Sequence, residues 1–172
     1  MLKKRTIQLT TLEGKDTYLN ITDAINDFIK ETGLESGLCH IISPHTTCSV
    51  FYEEYSHDRT EDGEEFLLAD LSDVLEKLVP PQTSPNIYRY PGQDHLDAVR
   101  SWPNADQYLP TNQIEDLWNG DAHLKSSIVG NSLALDVEDG QLNIGSTGSV
   151  YFVDFDRTRD RQRKCQLILI TE

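Results

Sequence analysis

Residues 43–58 read SPHTTCSVFYEEYSHD. The middle of this stretch alternates as a strand does, with Thr47, Ser49 and Phe51 on one side and Cys48, Val50 and Tyr52 on the other. A half-buried strand has no packing use for His45, Thr46 and Thr47 at its start or for Glu53 and Glu54 at its end. Such groups cost free energy when buried without partners. They are expected to line a polar pocket, with the rest of the chain as its frame.

Upstream, Gly37 to Ser43 (GLCHIIS) is short, apolar and β-branched, which reads as a buried strand carrying His40. Pro44 restricts Ser43 and bends the chain before the next strand. Residues 3–11 alternate as an opening strand, and Glu13-Gly14-Lys15-Asp16 is a turn by composition. Ile21, Ala24, Ile25, Phe28 and Ile29 recur at helical spacing. Thr22 is the expected N-cap and Gly33 the closing glycine of a helix over 22–32.

Downstream, residues 62–78 carry a helical stripe of Leu67, Leu68, Leu71, Val74, Leu75 and Leu78, stopped by Pro80-Pro81. Residues 82–119 show little periodicity, yet Tyr88, Tyr90, Trp102, Tyr108 and Trp118 make them too aromatic for a disordered linker. They read as an ordered, loop-rich insertion with helical turns near 94–100 and 112–118. Asp121 is the expected cap of a short helix closed by Gly130, with His123 in its first turn. The last third is β-rich. Leu133, Leu135 and Val137 alternate, Asp139-Gly140 signals a hairpin, and 150–155 and 165–170 read as further strands. Residues 156–164 form a local basic cluster. Composition favours a solvated turn there, although arginines also suit phosphate. The sum is an α+β chain: a single compact domain over 1–172, mostly antiparallel sheet with a few helices packed on it, and an insertion at about 82–119.

A net charge of −14 argues against nucleic acid and against an anionic membrane surface, since both are bound by neutralising negative charge. The start MLKKRTIQLT is basic but lacks the apolar run of a signal peptide. No window approaches the ~18–20 apolar residues that a spanning helix needs. Cys39, Cys48 and Cys165 are odd in number and contain no C-x-x-C, so a reducing cytoplasm is the expected compartment. There is no P-loop, dinucleotide fingerprint or G-x-S-x-G elbow. Cys48 beside His45 is the nucleophile candidate, although strand positions 45 and 48 point to opposite faces.

Two longer stretches now stand out: GLCHIISPHTT from Gly37 to Thr47, and DAHLKSSIVGNSL from Asp121 to Leu133. With Val137-Glu138-Asp139-Gly140-Gln141-Leu142, and Phe155-Asp156 followed by Arg159 and Arg161, they resemble the YjbQ-like proteins, also called the secondary thiamine-phosphate synthase family. The resemblance implies a compact α+β fold, a homotrimer, and pockets holding motif histidines near subunit contacts. It implies a weak transferase activity joining a pyrimidine diphosphate to a thiazole phosphate, with release of pyrophosphate. Catalytic roles then fall to His45, His123, Glu54 and Asp58, and contacts with a phosphorylated small molecule to Thr46, Thr47, Lys125 and Arg159. Clustered imidazoles with a carboxylate suit zinc, and a pyrophosphate leaving group suits magnesium. His40, His45 and His123 are therefore the expected ligands of a divalent metal.

Three departures from the family pattern touch the expected pocket wall and point to a different substrate; the loss of Trp and Gln in the third, with no complete catalytic triad, favours the alternative of a non-catalytic binding module for a phosphorylated small molecule. Residues 53–57 read Glu-Glu-Tyr-Ser-His in place of Asn-Glu-Asn-x-Asp, Tyr88-Arg89-Tyr90 replaces Tyr-x-His, and Gly145-Ser146-Thr147-Gly148-Ser149 replaces Gly-Thr-Trp-Gln-Gly.

Overall fold

The structure, a computed structural model, describes residues 2–171. Its strands are β1 (Leu2–Thr11), β2 (Thr17–Asn20), β3 (Gly37–Ile42), β4 (Cys48–Glu54), β5 (Ser132–Glu138), β6 (Gln141–Leu142), β7 (Gly148–Asp154) and β8 (Arg161–Ile170). Its helices are α1 (Thr22–Thr32), α2 (Phe66–Leu78), α3 (Gln93–Arg100) and α4 (Gly120–Val129). Five strands pair in the order β1-β8-β3-β5-β6 and three in the order β2-β7-β4, with every pairing antiparallel.

The period of two decides what is inside. Cys39 and Ile41 of β3, Cys165, Leu167 and Leu169 of β8, and Val137 of β5 face one core with Cys48 and Val50 of β4 and Val150 and Phe152 of β7. Ile25, Phe28 and Ile29 of α1 close that core. The intervening residues of β7 point the other way. Val153, with Phe155 just past the strand end, packs under α2 and α4 through Leu75 and Ala122. Covered on both faces, β7 is a nearly continuous apolar run, and each such burial is worth about 1.5–3 kcal/mol. The molecule is thus layered: five-stranded sheet, three-stranded sheet, helices.

Local chemistry explains where the elements start and stop. Gly33 ends α1 at φ 66°, and Asp139 and Gly140 take φ 51° and 72° in the β5–β6 hairpin, as a tight turn between twisted strands requires. Thr22 does not cap α1. Ile21 occupies that position, and the Thr22 hydroxyl accepts the Val150 N–H at 2.8 Å, joining helix to sheet. The 62–78 helix begins at Phe66. The Glu65 carboxylate before it accepts the Ser56 N–H at 3.0 Å and the Tyr151 hydroxyl at 2.8 Å. Of the expected stripe only Leu68 and Leu75 are buried, while Leu67, Val74 and Leu78 stay exposed. The strand β2 was not foreseen, and β8 begins at Arg161 rather than 165. Residues 82–119 contain α3 and two short 3-10 turns, Ala105–Gln107 and Ile114–Leu117. They gather around their own small core of Leu96, Val99, Leu109 and Leu117.

Candidate functional site

A cleft of about 330 Å3 opens where four pieces of chain meet: the 44–47 bend before β4, residues 156–163 running into β8, the start of α4, and the 82–119 segment. His45 and His123 both line it, joined by His95 of α3. The bend is pinned from within. The His45 N–H donates to Ser43 Oγ at 3.3 Å, and the His45 carbonyl accepts the Cys48 N–H at 3.2 Å.

The back wall is ionic. Arg161 and Arg163, two apart on β8, turn to the same side, as do Asp154 and Asp156 at the end of β7. Arg163 donates from Nε to Asp154 Oδ2 at 2.6 Å and from Nη2 to Thr47 Oγ1 at 3.2 Å. Arg161 Nη2 donates to Asp156 Oδ2 at 2.8 Å, which also accepts Asn119 Nδ2 at 3.1 Å. Burial pushes the Asp156 carboxyl up, but Arg161, Thr158 and Asn119 outweigh it and hold the group below the usual carboxylate range. Arg159, in the loop, donates to the Gln107 and Asp116 carbonyls at 2.6 and 3.1 Å and so ties the 82–119 segment to the sheets. Arg159 and Arg161 each keep a buried Nε–H with no acceptor, and Asn119 a buried Oδ1 with no donor. Three guanidiniums therefore line this cleft, with Asp156 in its wall and Asp154 behind Arg163, and Arg159 and Arg161 each retain a donor without an acceptor.

Both motif histidines are held below their ordinary pKa. For His45 the cause is burial and then the cation Arg163; for His123 it is burial, partly opposed by Asp156 and a backbone hydrogen bond with Thr46. Both are mainly neutral at pH 7. The facing wall is aromatic. The Tyr90 ring lies 5.3 Å from His123 and 5.0 Å from His95, and its hydroxyl is 3.1 Å from His95 Nε2. Trp102 and Tyr108 meet edge to face at 5.3 Å.

Other expected site residues lie elsewhere. His40 stands on the outer face of the five-stranded sheet, paired with Ala134 and Ile168, away from His45 and His123. Glu54 is exposed at the end of β4, and Asp58 is exposed in the following loop; neither lines the cleft. Lys125 is fully buried on the opposite side of α4 from His123, 3.2 Å from Asp16, a carboxylate that Arg157 also holds at 2.7 Å. The start of α4 offers no free anion site. The Gly120 N–H donates to Gln82 Oε1 at 2.7 Å, and the buried Asp121 carboxylate takes first-turn backbone N–H groups instead of capping the helix from outside. Cys48 is buried and does not line the cleft, and burial with Asp154 beside it drives its thiol above the usual range, which disfavours the thiolate that a nucleophile needs.

The donors do not fit a metal. Among the described residues no three His, Cys, Asp or Glu side chains are arranged to hold one, and His45 Nε2 already accepts the Lys164 N–H at 2.9 Å. The residues that sequence reading missed are His95, Trp102, Tyr108, Asn119 and Arg163 as cleft walls. Only the i, i+2 spacing of Arg161 and Arg163 carried a signal.

Fold and cleft together define an α+β protein with a basic, histidine-bearing cavity. The chain belongs to the family described as UPF0047 protein YjbQ-like, whose model matches residues 5–172. It is 30% identical over 144 residues to a UPF0047 protein of Archaeoglobus fulgidus, covering 84% of this chain and 85% of that one. It is 29% identical over 158 residues to the UPF0047 protein YugU of Bacillus subtilis, covering 91% and 92%. The crystal structure of an uncharacterised YjbQ/UPF0047 protein from Clostridium acetobutylicum superposes with a TM-score of 0.65 at 23% identity, over 95% of this chain and 99% of that one. No helix among the described residues is long and apolar enough to cross a membrane.

Proposed function

We propose that the cleft binds a phosphorylated small molecule with a flat ring, its phosphate on the Arg161 side and its ring against Trp102 and Tyr108. One observation carries this reading: in a chain of net charge −14, three arginines and two neutral histidines converge on a single cavity. Guanidiniums match phosphate oxygens with planar, bidentate donors, and an edge-to-face aromatic pair suits a ring. The transferase reaction implied by the family resemblance fits the same layout. Pyrophosphate gains charge as it departs, and preorganised cations beside it stabilise that charge. His123, next to Asp156, is the group placed to exchange a proton. No step is assigned to a metal.

The test is thermal stability and calorimetry with inorganic pyrophosphate and with a pyrimidine diphosphate, on wild type and Arg161→Ala. A ligand at 100 times its Kd should add about 2.7 kcal/mol of stability to wild type. Arg161→Ala should lose most of that gain. Product release on adding a thiazole phosphate separates a transferase from a binding module. Absence of any stabilisation by either phosphate would end the proposal.

The reading extends to self-association as a homotrimer. The outer face of the five-stranded sheet supports it, with Leu2, Ile170 and Leu38 in one row and Ile168, His40 and Ala134 in the next, bordered by Lys4 and Asp136.

A further inference from the structure

We propose that His45 meets the ligand as a fixed neutral donor: the Lys164 main-chain N–H occupies its Nε2, leaving Nδ1–H as the proton presented to the anion. This rests on the reading of the cleft as a phosphate site and assigns one of its two motif histidines a role distinct from acid or base.

The geometry leaves one tautomer. A backbone N–H can only donate, and at 2.9 Å it points at Nε2, so that nitrogen holds a lone pair and the proton sits on Nδ1. No protein acceptor for Nδ1–H occurs among the described residues. The backbone on both sides of the contact is fixed. Lys164 lies within β8, where it pairs with Gln8, and the His45 main chain is held by Ser43 and Cys48. The charges facing the ring agree. From β8 come Arg161, Arg163 and Lys164, all of which disfavour an imidazolium, and from the end of β7 comes Asp154, which favours one but is already paired with Arg163.

A second proton on His45 would therefore break the Lys164 hydrogen bond and place a cation among cations. The neutral ring instead adds a directed N–H beside the guanidiniums without adding charge. His123, which lacks such a backbone donor and has Asp156 near it, is left as the titrating member of the pair. Lys164 acts only through its main chain, as a positioning group.

Nitrogen-15 NMR of histidine-labelled wild type at pH 7, with His45 assigned by loss of its signals in His45→Ala, reads the tautomer directly. The expected result is a protonated Nδ1 and an unprotonated Nε2, with the Nδ1 resonance moving on addition of inorganic pyrophosphate. Pyrophosphate affinity should fall about tenfold or more in His45→Ala, the loss of one hydrogen bond to a charged group. A protonated Nε2, or an imidazolium at pH 7, would overturn the assignment. So would wild-type affinity in His45→Ala when Arg161→Ala abolishes binding, an outcome that leaves the phosphate site standing. Failure of wild type to bind pyrophosphate overturns both.

Discussion

At the level of single residues, His45 and His123 tie the cleft to the folding equilibrium. Both sit below the ordinary histidine value of 6.5, chiefly because burial disfavours the imidazolium. In the unfolded chain they take up protons near 6.5, before the folded chain does. Unfolding therefore binds protons below that pH, and stability falls as the solution is acidified from neutrality. Asp121 and Glu64, whose carboxyls burial pushes up, work the other way at lower pH. The histidine contribution is isolated by the difference between wild type and His123→Asn in urea midpoints at pH 7.5, 6.5 and 5.5. Wild type should lose more stability than the variant across that range. Parallel curves would mean that His123 is not held neutral by its surroundings. The pairing of His45 with His123 was legible only through motif resemblance, because side chains from a bend and a helix 78 positions apart share no periodicity. His95 was not legible at all: a lone histidine in an aperiodic segment carries no pattern.

Among the elements, those built on a hydrophobic period were readable and those built on charge were not. Helix α1 falls where its apolar spacing and Gly33 put it, and β4 and β5 follow their alternation; β3, read as a buried apolar run, is a strand there but is buried on one face only. The start of β8 reads Arg161-Gln162-Arg163-Lys164, polar on both sides, so it imitates a turn. It is a strand because Asp154 and Asp156 neutralise the arginines that face inward. The small core of 82–119 draws one or two residues from each of several short segments, which leaves no repeat to find. That segment depends on Arg159, whose two bonds to the Gln107 and Asp116 carbonyls span from the β8 side to the 3-10 turns. Arg159→Ala removes both and leaves Asp156, Arg161 and Arg163 paired. Hydrogen exchange should then quicken by about an order of magnitude or more over 93–117, the loss of about 1.5–3 kcal/mol of local stability, with β7 and β8 unchanged. Uniform quickening through the sheets would show that the arginine supports the whole fold rather than this wall.

For the whole molecule, charge and apolar surface oppose each other. A net −14 makes copies repel, while the outer face of the five-stranded sheet presents Leu2 at 57%, Leu38 at 39% and Ile170 at 41% exposure in one row that runs on to Asp136, with Lys4, Ile168 and His40 in the next. If that face joins copies, association must overcome long-range repulsion that salt screens, since the Debye length shrinks from about 30 Å at 0.01 M to about 8 Å at 0.15 M. Sedimentation velocity should then show a trimer at physiological salt and a shift toward smaller species at 0.01 M. Ile168→Asp, which adds a charge to the centre of the face without touching the cleft, should give a monomer at both. The exposed Leu67, Val74 and Leu78 of α2 offer a different apolar surface, and the choice between them is open to the same measurement. If Val74→Asp dissolves the assembly and Ile168→Asp does not, the helical face is the contact and the sheet face is not.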